Sequence, residues 1–177
     1  MTLRLREAWI VLACVVATLV AGCGASRPPR PSLAKILSYD ATAKTVVLTL
    51  VPGATNMFSG YNYNGYGRGA VLVDVPLGWR VTVRCINDVA SVPHSCAVVR
   101  DGGNATAPIF PGAASPDPQR GLAPGHSAEF SFVASRPGAY RIACLIPEHE
   151  TMGMWDAFEI SRTQRPSIRE IRFYGGE

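Results

Sequence analysis

A thiol, an imidazole and a thioether follow one another at intervals of five in Cys144-Leu-Ile-Pro-Glu-His149-Glu-Thr-Met-Gly-Met154-Trp155. A second imidazole, His94, lies fifty positions before the cysteine in Val92-Pro-His-Ser. Taken singly, each is an ordinary surface or core residue. Together, two imidazoles, one thiolate and a weakly bonding thioether form the donor set of a mononuclear copper centre that moves single electrons. The mixture suits that chemistry. Thiolate and thioether favour Cu(I), imidazole accommodates Cu(II), and a site held between the two reorganises little when an electron passes. Zinc also accepts His and Cys, but structural zinc sites take more thiolates and lack a thioether. His94, Cys144, His149 and Met154 are therefore the expected metal ligands, and one mononuclear type 1 copper is the expected cofactor.

Ligands so far apart in the chain need strands to bring them together. Residues 36–40 and 45–51 read as a hairpin around a short polar turn. Residues 58–65, aromatic and rich in Asn and Gly, are expected to hold an edge strand. Residues 70–75 and 80–86 form two strands split by Pro76-Leu77-Gly78, and 95–99 form another. Residues 101–125 read as a long Gly/Pro/Ala/Asp loop. Residues 129–133 and 139–144 are strands around Arg136-Pro137-Gly138, and 155–161 form the last clear one. Seven or eight short strands with turns at this spacing predict an all-β sandwich. In that frame a strand delivers Cys144 to one end, and a tight loop curls His149 and Met154 back toward it. Pro147 stiffens the loop and Gly153 gives it freedom to turn. Pro93 biases Val92 toward an extended conformation, which suits the approach of His94 from a neighbouring strand. Trp79, Trp155, Tyr140 and Phe132 read as core, Asn87 and Asp88 as turn residues, and His126 as a solvated loop residue.

The chain resembles the cupredoxins, and among them most closely the sulfocyanins. Tyr61-Asn-Tyr-Asn-Gly65, Val75-Pro-Leu-Gly-Trp79-Arg-Val-Thr-Val83, Pro93-His-Ser95, and the loop from Cys144 to His149 with Gly153-Met-Trp155 carry the resemblance, over roughly residues 35–161. It implies a Greek-key β-sandwich, one type 1 copper and one-electron transfer. Spacing in similar sites, with the following Trp155, favours Met154 over Met152 as the axial ligand. Glu148 departs from the pattern, since a glycine is expected there, and it places a carboxylate beside the exposed ligand. Ser95 is expected to offer a hydrogen bond to the Cys144 sulfur, the kind of contact that tunes a reduction potential.

Composition and targeting bound the rest. The chain has 177 residues, 47% apolar and 17% charged, with a formal charge of +4 and no basic block. That supports a compact exported domain and gives no nucleic-acid footprint. Arg4 and Arg6 precede an apolar run over residues 9–20, too short to span a bilayer but suited to a signal peptide. It ends in Leu19-Val20-Ala21-Gly22-Cys23, read as a bacterial lipobox. The expected organisation is therefore a lipoprotein signal over 1–22 and a lipidated Cys23 with a Pro/Arg-rich tether over 23–34. The cupredoxin domain follows over 35–161, then a basic tail over 162–177, loosely docked or mobile. The expected location is extracytoplasmic, on the membrane through Cys23. Cys85, Cys96 and Cys144 remain in the domain. Cys85 and Cys96 flank one loop, and either a disulfide or two buried thiols fits that placement. With three histidines in all, two of them at one site, a further catalytic copper cluster has too few ligands. The sequence thus points to a non-enzymatic carrier exchanging electrons with redox partner proteins. Copper storage or delivery is the alternative.

Overall fold

The computed structural model describes residues 32–88 and 90–171. The expected signal peptide, Cys23 and all of the tether but Ser32, Leu33 and Ala34 lie outside them. Nine strands run in chain order: β1 (Leu37–Asp40), β2 (Thr45–Leu50), β3 (Val71–Pro76), β4 (Arg80–Asn87), β5 (Ala97–Arg100), β6 (His126–Val133), β7 (Gly138–Ala143), β8 (Trp155–Ser161) and β9 (Ser167–Glu170). They form two sheets, ordered β1-β2-β4-β6 and β5-β7-β8-β3-β9. The period of two fixes which side chains enter the core. β2 and β4 alternate buried with less buried positions, so Val46, Leu48, Val81, Val83 and Cys85 face the second sheet. β8 contributes Phe158 and Ile160 from the other side. The all-β sandwich expected from the sequence is the observed architecture.

Three local expectations are corrected. Residues 58–65 form no strand. Met57–Gly60 is a tight turn in which Phe58 and Ser59 take positive φ, and the chain then loops back. The buried Asn62 amide donates to the carbonyls of Thr55 and Met57 and accepts the N–H of Gly65. Side-chain bonds thus replace the ladder that a strand would use. Second, the described residues hold nine strands rather than seven or eight, because Ser167–Glu170 within the tail pairs antiparallel with β3. This strand buries no side chain fully and has one apolar residue, Ile168, against the core, so its hydrophobic pattern carries no signal. Third, Asn87 is not a turn residue. It ends β4 fully buried, and its amide donates to the carbonyls of Val92 and Leu122.

The loop over 101–125 does more than connect. Phe110 enters the core and stacks on Phe132 at 5.4 Å. Ala105 and Ala114 cover Ala97 and Val99, which explains why β5 is buried on both faces at a sheet edge.

Cys85 and Cys96 are joined in a disulfide, with Cα atoms 5.9 Å apart. The bond ties β4 in one sheet to the segment leading into β5 in the other, two residues after His94. A cross-link closing a loop of this size stabilises by about 3 kcal/mol, mainly by restricting the unfolded chain. Alkylation of the unfolded domain from Gly24 onward, without reductant, should label Cys144 alone. Replacing both Cys85 and Cys96 by Ser should lower the unfolding free energy by about 2–4 kcal/mol in urea titrations. Three labels on the unreduced protein would show that the bridge is absent.

Candidate metal centre

Cys144 is the first residue beyond β7, and Met154 the last before β8. Their main chains meet, with the Cys144 N–H donating to the Met154 carbonyl at 3.2 Å. Between them the chain coils tightly. His149 N–H reaches the Ile146 carbonyl, Met152 N–H the Glu148 carbonyl, and Met154 N–H the His149 carbonyl at 3.0 Å. Two main-chain bonds therefore tie the positions of all three loop ligands. The coil needs unusual backbone at two places. Gly153 has φ 111°, where a side chain would be strained, and a Cβ there would also strike Arg68. Glu148 has φ 71°, which explains the glycine expected at its place and costs about 1 kcal/mol for any other residue. Its side chain is exposed beside His149, as the sequence implied.

His94 arrives from the segment before β5. Its main chain exchanges two hydrogen bonds with Leu122, at 3.1 and 2.7 Å, so the long loop braces it. Gly121 permits this approach, because a Cβ there would lie 2.8 Å from the His94 carbonyl oxygen and 2.6 Å from Ile146.

The donor atoms of His94, Cys144 and His149 lie within 4.8 Å of one another. Cys144 Sγ is 3.3 Å from His149 Nδ1, and the two imidazole rings are 5.0 Å apart. Met154, whose main chain bonds to those of Cys144 and His149, is fully buried, whereas Met152 is 44% exposed. His94 Nδ1 is buried and has no hydrogen-bond partner. A stranded buried acceptor or donor costs about 1–3 kcal/mol, unless a ligand takes it. An orphaned nitrogen beside a thiol and a second imidazole fits a metal with nitrogen and sulfur preference, and the buried thioether narrows that to copper.

The electrostatics agree. Burial, reinforced by the nearby His149, lowers the His94 pKa from 6.5 to about 4, so its ring is neutral and free to coordinate near pH 7. Burial also lowers that of His149. Burial raises the Cys144 pKa, with hydrogen bonds from Ser95 opposing the rise. Ser95 N–H donates to Sγ at 3.3 Å. Its Oγ lies 3.5 Å from Sγ and accepts the Leu145 N–H at 2.9 Å. Tyr63, buried and with its own pKa well raised chiefly by that burial, donates its O–H to the Ser95 carbonyl at 2.6 Å.

All four residues singled out in the sequence sit at one end of the sandwich. His126 is exposed at the start of β6, away from them. Sequence reasoning missed Gly121, which only a close approach reveals. It quoted the Tyr61 and Tyr63 stretch without seeing its roles. Tyr61 places its ring edge-on to both imidazoles, 4.9 Å from His149 and 6.5 Å from His94.

A family model described as the Sulfocyanin (SoxE) domain matches residues 32–111, which include His94 and Ser95 but not the 144–154 loop. Sulfocyanin from Sulfolobus acidocaldarius is 27% identical over 128 residues, covering 66% of this chain and 64% of that protein's length. Crystal structures of rusticyanin variants match the fold with a TM-score of 0.51, at 20% identity, over 70% of this chain and 80% of theirs. Dithionite-reduced auracyanin from Roseiflexus castenholzii is 21% identical and covers 67% of this chain and 97% of its own, with a TM-score of 0.48.

The depressed His94 pKa has a consequence for the metal-free domain. The unfolded chain binds a proton near pH 6.5 and the folded one only near pH 4, so the contribution to stability is complete above pH 6.5 and is lost as pH falls toward 4. The full loss is about 3 kcal/mol. Urea unfolding of the apo-domain at pH 7 and 4.5 should show it, and His94→Phe should shrink it. An unchanged pH slope in that variant would contradict the assignment.

Proposed function

We propose, from the premise that this chain is a cupredoxin most similar to the sulfocyanins, that it is a one-electron carrier holding one type 1 copper through His94, Cys144, His149 and Met154. The convergence of three donor side chains within 4.8 Å, from segments fifty residues apart, carries this reading. Copper supplies the Cu(I)/Cu(II) couple. The protein supplies a cage that both oxidation states share. The main-chain bonds among Cys144, His149 and Met154, and those between His94 and Leu122, resist any change in ligand position. Ser95 lowers electron density on the Cys144 sulfur through its hydrogen bonds. With the apolar surroundings of Met154, that raises the potential by disfavouring the more charged Cu(II) form. His149 is half-buried while His94 is 2% exposed, so electrons enter and leave at His149, beside exposed Pro147 and Met152. A redox partner protein would dock there.

Storage or delivery of copper is the competing reading. Delivery needs ligands that a recipient can reach, and Cys144, Met154 and His94 are at most 2% exposed. Burial favours the carrier. The lipobox ending at Cys23 favours a lipid anchor, and the Cys85–Cys96 bridge favours an extracytoplasmic location, because such bridges persist in oxidising compartments.

The domain from Gly24 onward should bind one copper and absorb strongly in the visible, and Cys144→Ala should abolish the band. Film voltammetry over repeated cycles, with a Cu(I) chelator present, should show reversible reduction without metal loss. Met154→Gln should lower the potential and largely preserve binding. Steady transfer of copper to a modest chelator on reduction would favour delivery and defeat the carrier.

Cys23→Ala should leave the precursor unprocessed or release it from the membrane. Fatty-acid labelling of cells expressing parent and variant reads this directly, and equal labelling of both would exclude the anchor.

A further inference from the structure

Arg141 lies on β7, three residues before Cys144, and its side chain is 18% exposed. Its Nε donates to Asp101 at 2.7 Å and another guanidinium nitrogen donates to Glu150 Oε1 at 3.1 Å. The plane of the group also lies against Trp155, with its carbon 4.0 Å from the ring centroid. Two of these contacts touch the metal site at one remove. Glu150 directly follows His149 and Trp155 directly follows Met154, while Arg141 lies on the strand that ends one residue before Cys144. The second Glu150 oxygen accepts the Ala105 N–H at 3.4 Å, which adds the 101–125 loop to the same knot.

We infer that Arg141, with Glu150 as its counter-ion, is a positioning residue that locks the 144–154 loop around the metal. The inference rests on the copper reading above. Its physical basis is the combination of burial and shape. Glu150's side chain is 9% exposed and Arg141's 18%, so water and salt screen the pair weakly. The Arg84–Glu129 pair, at 56% and 55%, has the exposed character that contributes little. Only a planar fork of donors can hold two carboxylates while stacking on an indole, so lysine cannot replace arginine here. Without this clamp, the stretch around His149 loses its ion pair and keeps its turn bonds, the Tyr61 ring contact and the weak bond from Ala105 N–H to Glu150. The loop then gains freedom to follow the metal's changing preferences, which loosens the grip on Cu(I) and alters the Cu(II) geometry.

The test uses the copper-loaded domain and four variants. Arg141→Lys keeps the charge and loses the fork. Glu150→Gln keeps a hydrogen bond and loses the ion pair. The double variant Arg141→Met with Glu150→Met leaves no buried charge stranded, so it decides the matter if a single variant fails to fold. Arg84→Met is the control. Readouts are the Cu(II) EPR hyperfine splitting, the ratio of the visible bands, and the rate of Cu(I) loss to a chelator. Arg141→Lys and the double variant should change the band ratio and splitting, and should lose Cu(I) about tenfold faster, equivalent to about 1.4 kcal/mol. Glu150→Gln should show a smaller change in the same direction, and Arg84→Met none. A folded double variant with the parent's spectra and loss rate would overturn the inference, even if its unfolding temperature fell. A parent that never turns blue would instead defeat the copper reading, independently of Arg141.

Discussion

The sulfur of Cys144, a residue only 1% exposed, is the constraint around which the rest of the molecule is arranged. Burial alone favours the neutral thiol, as the raised pKa shows. The thiolate needed for a metal bond must be stabilised by what surrounds it: a cation in the site and hydrogen bonds aimed at the sulfur. Ser95 supplies the latter and also takes the Leu145 N–H, so the residue that tempers the sulfur also fixes the start of the ligand loop. Tyr63 holds Ser95 from behind through its carbonyl. The sequence neighbour of one ligand thus positions another.

Such a site needs a frame that does not yield when charge moves. Two sheets give it. β7 and β8 pair over six positions and end where Cys144 and Met154 begin, so two ligands inherit the rigidity of one ladder. The disulfide links the sheets next to the segment that carries His94. Leu122 and Gly121 bring the long loop against the same histidine, and Phe110 anchors that loop in the core. The loop is therefore part of the site's wall, despite a composition that reads only as turns.

The molecule keeps its ligands apart from water except in one direction. His94 and Met154 are closed off, Tyr61 stands across both imidazoles, and His149 alone has partial access to the surface. Exposure is concentrated at Pro147, Glu148 and Met152, in the coil whose strained backbone at Glu148 turns that carboxylate outward. Partial access at a single ligand suits passage of an electron without passage of the metal.

Much of this was legible in the sequence, because it depends on local chemistry. Side-chain types and spacing singled out His94, Cys144 and His149, which the fold brings together, and the period-two pattern located most strands. The sequence left open whether Cys85 and Cys96 bond, since flanking one loop is compatible with paired or free thiols; the packing of the two sheets, which brings their Cα atoms to 5.9 Å, decided it. It hid β9, a short strand with Ile168 as its one apolar residue, and it suggested a strand at 58–65 where Asn62 satisfies the backbone instead. Asn87 read as a turn residue because asparagine favours turns, yet buried carbonyls nearby required its amide. Arg141, Glu150 and Gly121 carry no signal in their own segments. Their roles arise only when strands and loops remote in the chain meet, because a hydrogen bond, a stacked cation or a close approach depends on distances in space that spacing along a sequence does not encode.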